Sequence, residues 1–309
     1  MNLEPLNQTN LFELNHYFDE LKKLYLKKKL PNKILLSGEK GIGKCTMSYH
    51  LINYILSFEE NYSYDFNNYK INLENKSFKL VLNKSNPNFY LIDVAEDKKN
   101  IDINQIRNLI FNLNKSSFNS NPRFVLIDNI ELLNNNSVNA LLKILEEPND
   151  NINFILINNN KKILPTLTSR CLNFKISITY NQSIKIVNDI LNLNIYDLLN
   201  IDLINNYSTP GQLLSIISLG EVNNIDLKNT DLKGFLSIMI KEKYYKKDIR
   251  FNDILYSLIE FYFRKNLSKN NIKLMSIKNS FLKKINNMKI FNLDDEAFFI
   301  EFHDKVLNG

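Results

Sequence analysis

Three of the chain's seven glycines lie between positions 38 and 43, and the segment they punctuate constrains the fold more than any other feature. It reads Gly38-Glu39-Lys40-Gly41-Ile42-Gly43-Lys44-Cys45. The apolar run Ile34-Leu35-Leu36 leads straight into it as a short strand. Thr46 to Phe58 follows with Met47, Leu51, Tyr54 and Ile55 at helical spacing. Strand, glycine loop and helix in that order make a phosphate cradle (P-loop). Glycines let backbone N–H groups converge on phosphate oxygens, and the helix N-terminus adds a favourable dipole. Gly38, Gly41 and Gly43 shape the cradle, Lys44 reaches toward β- and γ-phosphates, and Cys45 and Thr46 open the helix. The competing reading is an ordinary glycine turn with a chance lysine, which the strand and helix on either side disfavour.

One position departs from that pattern. A hydroxyl should follow the lysine to ligate Mg²⁺, and Cys45 stands there. A thiol is a poor ligand for a hard cation. Thr46 is one step further along the helix and points elsewhere. A second piece lies downstream, where Phe124-Val125-Leu126-Ile127 runs into Asp128. An apolar strand ending in an acid is the pattern that holds a carboxylate near Mg²⁺ beside a P-loop. Hydrolytic sites place Glu next, to activate water. Here the next residue is Asn129, which cannot accept a proton from water, and Glu131 comes two residues later.

Elsewhere, period and punctuation give a coarse architecture. Residues 11–29 read as an amphipathic helix with Leu11, Leu14, Phe18, Leu21 and Tyr25 on one face, a lysine run at its end and Pro31 to stop it. Residues 89–94, 154–157 and 172–178 read as further strands, and 102–113 and 137–147 as helices, the latter ended by Pro148. Residues 59–86 are polar and give no regular pattern. Strands alternating with helices to about residue 178 predict an α/β fold with a parallel sheet. Beyond it the spacing is helical throughout. The expected division is a P-loop core over 1–178, a small helical unit over 179–218 and a helical bundle over 219–309.

Composition narrows the function classes. Hydrophobic content of 44% excludes a fully disordered chain. The net charge of +6 suits contact with a polyanion, although a lysine-rich composition yields a basic solvated surface in any case. No interleaving of aromatic and basic residues of the kind that binds single strands is evident, so a nucleic-acid-binding module in its own right is the weakest reading. Two distant cysteines, Cys45 and Cys171, make neither a zinc cluster nor a disulfide scaffold, so no zinc is expected and the compartment is reducing. The polar N-terminus and the lack of any run of about 18 apolar residues predict a cytoplasmic protein with no membrane partner.

Two motifs remain: Asn139-Ala140-Leu141-Leu142-Lys143-Ile144-Leu145-Glu146-Glu147-Pro148, and Ser169-Arg170-Cys171 after Leu164-Pro165-Thr166-Leu167-Thr168. Arg170 is one of few arginines, and a planar guanidinium grips phosphate bidentately; a structural ion pair explains it equally well. Taken with the P-loop, with the segment from Asp102 to Leu109 and with Phe124 to Asn134, these motifs resemble the clamp-loader AAA+ family of bacterial DNA polymerase III. The resemblance covers about residues 5–215 and extends to the helical remainder only by architecture.

The resemblance implies an AAA+ core, a helical lid and a helical collar that assembles with gamma/tau-type and delta-type subunits into a hetero-pentamer. That assembly loads a sliding clamp on primed DNA, as part of a holoenzyme with DNA-directed DNA polymerase (nucleotidyltransferase) activity. By motif match, Arg170 would be an arginine finger acting on a neighbouring subunit's nucleotide, and Asn158 or Asn159 the polar residue at the tip of the fourth strand. Hydrolytic relatives carry Arg after the glycine near the lid, where this chain has Gln212 after Pro210-Gly211. With Cys45, Asn129 and Gln212 altered, ATP or ADP would be held weakly or as a vestige, with little ATPase by the chain alone. The alternative is a self-sufficient ATPase motor subunit, which needs the Mg²⁺ site and base that these residues lack.

Overall fold

The computed structural model describes residues 4–95, 98–115, 119–147, 151–247, 250–266, 272–291 and 295–308. Pro148, expected to end a helix, lies outside them. The chain forms two compact units, Met1–Asp189 with Thr209–Gly211, and Ile190–Ser208 with Gln212–Gly309.

The first unit is built on a five-stranded sheet in the order β2-β3-β4-β1-β5. The strands are β1 (Lys33–Ser37), β2 (Phe89–Ile92), β3 (Arg123–Ile127), β4 (Ile152–Asn158) and β5 (Leu172–Lys175), and every pairing is parallel. Parallel strands need crossovers, and helices supply them. These are α2 (Lys44–Leu56), α3 (Lys76–Leu82), α4 (Ile103–Leu113), α5 (Asn135–Glu146) and the single turn α6 (Pro165–Thr168), while α1 (Asn15–Leu26) precedes β1. Side chains alternate across each strand, so the continuous apolar runs feed two cores. Ile34, Leu36, Phe124, Leu126, Ile155 and Ile157 face α1, α2 and α3, where Phe18, Met47, Leu51 and Phe78 are buried. Leu35, Val125, Ile127, Phe154 and Leu156 face α4 and α5, where Ile106, Leu109, Val138 and Leu141 are buried. The α/β fold with a parallel sheet is therefore as expected from the spacing.

Local chemistry sets the boundaries. Helix α1 is shorter than the expected 11–29, because Lys28 adopts a left-handed φ of 54° and turns the chain away. Helix α4 begins with a capping box: the Asp102 side chain accepts from backbone N–H groups of the first turn, and the Gln105 side chain accepts from the Asp102 N–H. Helix α3, which the spacing did not give, starts where Asn75 accepts from Phe78 N–H at 2.7 Å, and it buries Phe78 and Val81.

Helix α7 (Tyr180–Leu191) closes the first unit and enters the second. The second unit is helical among its described residues: α8 (Ile195–Leu198), α9 (Pro210–Asn223), α10 (Leu232–Lys241), α11 (Tyr244–Lys247), α12 (Arg250–Asn266), α13 (Ile272–Phe291) and α14 (Asp295–Phe302). Its interior is aromatic, with Phe263, Phe281, Phe299 and Phe302 fully buried. No helix among the described residues is long and apolar enough to cross a membrane.

Candidate functional site

Parallel α/β sheets gather loops at the carboxyl ends of their strands, and a ligand crevice forms where the strand order reverses. Here β1 lies between β4 and β5, so the loop after β1 sits at that reversal. Gly38 follows β1, and its N–H donates to Asn158 O at 3.2 Å. Gly41 and Gly43 have φ of 85° and 95°, a region that side chains rarely enter, and the loop turns through them into α2. The backbone has the form of a phosphate cradle.

Lys44 begins α2 and is buried at 3% exposure. Its Nζ donates to Gly38 O at 2.9 Å, Glu39 O at 2.6 Å and Asn159 Oδ1 at 3.0 Å. An ammonium has three protons, and all three are engaged. Burial pulls its pKa down to about 8, against the opposing pull of Asp128, Glu131, Glu39 and Cys45.

Asp128 follows β3. Burial first, and the charge of Asp93 second, push its carboxyl up to about 6. The Cys45 side chain lies beside it, and the two groups influence each other's charge. Burial, then the Asp128 charge, push that thiol well above its usual range, so it remains protonated and is a donor rather than a metal ligand. The residue standing where a hydroxyl would meet Mg²⁺ is thus a protonated thiol beside an acid. The residues present fit a phosphate and do not fit Mg²⁺. Thr46, next in the same turn, is half-buried. Among the described residues no group of three or more His, Cys, Asp or Glu side chains is placed to hold a metal ion.

Asn129 adopts the left-handed region at φ 54° and ψ 46°, where Asn is among the better tolerated residues. Its Nδ2 donates to Asp93 Oδ1 at 2.7 Å, and its Oδ1 accepts from Asn159 Nδ2 at 2.8 Å. Asn159 Nδ2 also donates to Glu131 Oε1 at 3.0 Å, and Asn159 N–H to Glu131 Oε2 at 3.3 Å. Of the two asparagines at the tip of β4, the structure brings Asn159 to Lys44. Asn158 ends the strand, is buried, and donates from Nδ2 to Lys161 O at 2.9 Å. Glu131 is occupied by Asn159 rather than standing clear as a shifted base.

Asp93 was not singled out by the sequence. An acid after a short strand is common, and its place beside Asp128 follows from the pairing of β2 with β3, which no local pattern reveals. Its carbonyl accepts from Gln105 Nε2 at 2.7 Å, which ties it to the cap of α4.

The turn Thr209–Gly211 reaches the loop from the far end of the unit's sequence. Gly211 N–H donates to Gly41 O at 2.9 Å. A Cβ on Gly211 would lie 2.8 Å from Gly41 Cα, so backbone meets backbone with no room for a side chain between. Gln212 follows immediately in α9.

Arg170 follows α6 and is half-exposed. Its guanidinium pairs with Glu146 at the end of α5, and Nη1 donates to Thr166 O at 2.8 Å. The ion pair considered as the alternative to a phosphate grip is therefore formed.

A family model described as DNA polymerase III, delta subunit, matches residues 14–179, more than half of the chain. The chain is 34% identical to DNA polymerase III subunit gamma of Buchnera aphidicola subsp. Schizaphis graminum over 152 residues, which is 46% of this chain and 41% of that protein. It is 30% identical to DNA polymerase III subunit delta' of Pseudomonas aeruginosa over 100 residues, or 32% of this chain and 30% of that one. Both alignments span less than half of the relative's length. Among solved structures, a DNA polymerase III gamma subunit-related protein of Thermotoga maritima aligns with a TM-score of 0.49 at 17% identity, covering 91% of this chain and 96% of that one.

Proposed function

The chain belongs to the DNA polymerase III delta subunit family, and from that premise we propose that it is a clamp-loader subunit of the delta-prime type. In this reading it has three parts, a core over 1–178, a lid over 179–218 and a collar over 219–309, and it assembles with gamma/tau-type and delta-type subunits into a hetero-pentamer. The assembly loads a sliding clamp on primed DNA. The chain itself turns over little or no ATP, and it offers Arg170 to a nucleotide held by a neighbouring subunit.

One observation carries the choice of a non-hydrolysing subunit. The two positions that an ATP-hydrolysing site would use for metal and water are a protonated thiol beside Asp128 and an amide bonded to Asp93. Neither can do the work of the group it replaces. The cradle around Gly38, Gly41, Gly43 and Lys44 still suits a phosphate, so ATP or ADP bound without turnover is consistent with the reading.

The Arg170 role is tested in the assembled complex. Arg170→Ala should lower DNA-stimulated ATP hydrolysis by the reconstituted clamp loader by at least about tenfold, since an arginine supplied across an interface is worth about 10³–10⁵ where it has been isolated. Unchanged hydrolysis would remove the role.

A second reading, an ATPase motor subunit of the gamma type, is favoured by one observation, the 34% identity to a gamma subunit. Rapid Mg²⁺-dependent ATP hydrolysis by the purified chain alone would establish it in place of the first.

A further inference from the structure

Four side chains form one unbroken row of hydrogen bonds across the carboxyl edge of the sheet. Lys44 Nζ donates to Asn159 Oδ1 at 3.0 Å, Asn159 Nδ2 to Asn129 Oδ1 at 2.8 Å, and Asn129 Nδ2 to Asp93 Oδ1 at 2.7 Å. An isolated amide can be turned either way, because its N and O ends are interchangeable in shape. Here neither amide is free to turn. A carboxylate only accepts and an ammonium only donates, so Asp93 fixes which end of Asn129 faces it, and Lys44 fixes which end of Asn159 faces it. Each choice is consistent with the other only when the whole row points one way. Glu131, accepting from Asn159 as well, enforces the same direction. Asp93 is itself anchored, by Val94 N–H on its Oδ1 at 2.7 Å and by Gln105 on its carbonyl.

We propose that Asp93 and Asn129 are a positioning pair for the P-loop lysine: the carboxylate orients Asn129, Asn129 orients Asn159, and Asn159 holds the Lys44 ammonium against the loop carbonyls. The inference deepens the reading of this site as a phosphate cradle, and rests on it only in taking Lys44 as the phosphate-facing cation. It also accounts for the amide at position 129. That residue must donate to one neighbour and accept from another, which an amide does and a carboxylate cannot. A glutamate or aspartate there would put a third negative charge beside Asp93 and Asp128.

The row makes an asymmetric prediction. Asn129→Asp leaves the bond from Asn159 but sets a carboxylate against Asp93 with no proton between them. Asp93→Asn keeps every bond, because its amide oxygen can still accept from Asn129 and Val94. The double variant, Asp93→Asn with Asn129→Asp, restores the match between the two positions with donor and acceptor exchanged. The amide then at position 93 donates, and the carboxylate then at position 129 accepts from it and from Asn159; only the bond from Val94 is given up. Hydrogen exchange of the full chain, followed on peptides covering 38–47 and 155–161, reads the outcome without nucleotide or partner subunits. Asn129→Asp should exchange about tenfold faster in both peptides. Asp93→Asn should stay within about twofold of the parent, and the double variant within about threefold. Thermal melting should give the same ranking.

Should Asn129→Asp fail to fold, recovery of a folded chain by adding Asp93→Asn supports the pairing equally. A double variant no better protected than Asn129→Asp overturns the proposal, as does faster exchange in Asn129→Asp that leaves 38–47 untouched. Because the Arg170 role is read only in the assembled complex, failure of one inference does not touch the other.

Discussion

Lys44 and Arg170 are the two cations that the sequence marks for phosphate chemistry, and the fold treats them in opposite ways. Lys44 is buried, with each of its protons given to an acceptor of the protein. Arg170 is half-exposed and shares its charge with a surface glutamate. The first is a charge kept at an energetic cost, shown by a pKa drawn down to about 8, and its acidic neighbour Asp128 bears a matching cost with a pKa raised to about 6. A pair formed for stability shifts the other way, each partner favouring the other's charge. Groups held charged against burial mark sites built to meet a ligand. Arg170 stands in a solvent-screened pair and can leave Glu146 for another anion with little loss.

The comparison breaks most visibly at Lys44. Replacing it with Met leaves Gly38 O, Glu39 O and Asn159 Oδ1 without their donor and should cost about 1–3 kcal/mol at pH 7 despite removing a buried charge. The pH dependence follows from linkage. With its folded value near 8 and the ordinary value of 10.5, the unfolded chain binds more protons between those limits, so the parent gains stability as pH rises from about 8 to 10.5. The variant should lack that gain in urea titrations. A variant that still gains stability between pH 8 and 10.5 would show that another group titrates there.

Asp128→Asn should act in the opposite direction and in a different window. A carboxyl raised from 3.8 to about 6 contributes stability that is fully present below pH 3.8 and is lost as pH rises through about 6. The variant should remove that decline and gain about 1–3 kcal/mol at pH 7, measured by denaturant titration across pH 4–7. The smallest effect belongs to the other cation. Glu146→Gln should change stability by less than about 1 kcal/mol, and less still at high salt, because exposed ion pairs are screened. A larger loss would show that Arg170 is fixed in place and would narrow the contrast with Lys44.

Much of the fold was legible because the strands are buried on both faces. Runs such as Phe124 to Ile127 need no pairing information to be recognised, and the glycines of the loop bring their own conformational requirement. The site was legible as a list of positions and illegible as a network. Asn158 and Asn159 are adjacent, and which one faces Lys44 depends on where the pleat of β4 ends, a parity that one residue reverses. Asn129 could be read only as a missing base; that it bridges two strands depends on the parallel register that places Asp93 beside it. Residues 59–86 gave no pattern because their order comes from distant partners. Glu60 accepts from Lys76 and Ser77 N–H groups, and Asn75 accepts from Asn53 Nδ2.

The contact between Gly41 and Gly211 has a consequence for what this sequence can become. A Cβ at 211 would stand 2.8 Å from Gly41 Cα and 3.1 Å from Gly41 O, so every substitution there collides with the loop before it can reach a ligand. A Cβ at 41 would in turn stand 2.8 Å from Thr209 Oγ1, at a φ that disfavours side chains. Two glycines far apart in sequence therefore constrain each other, and neither can change first. The charge that this turn could present to the loop must therefore come from position 212, next to the glycine, and not from 211.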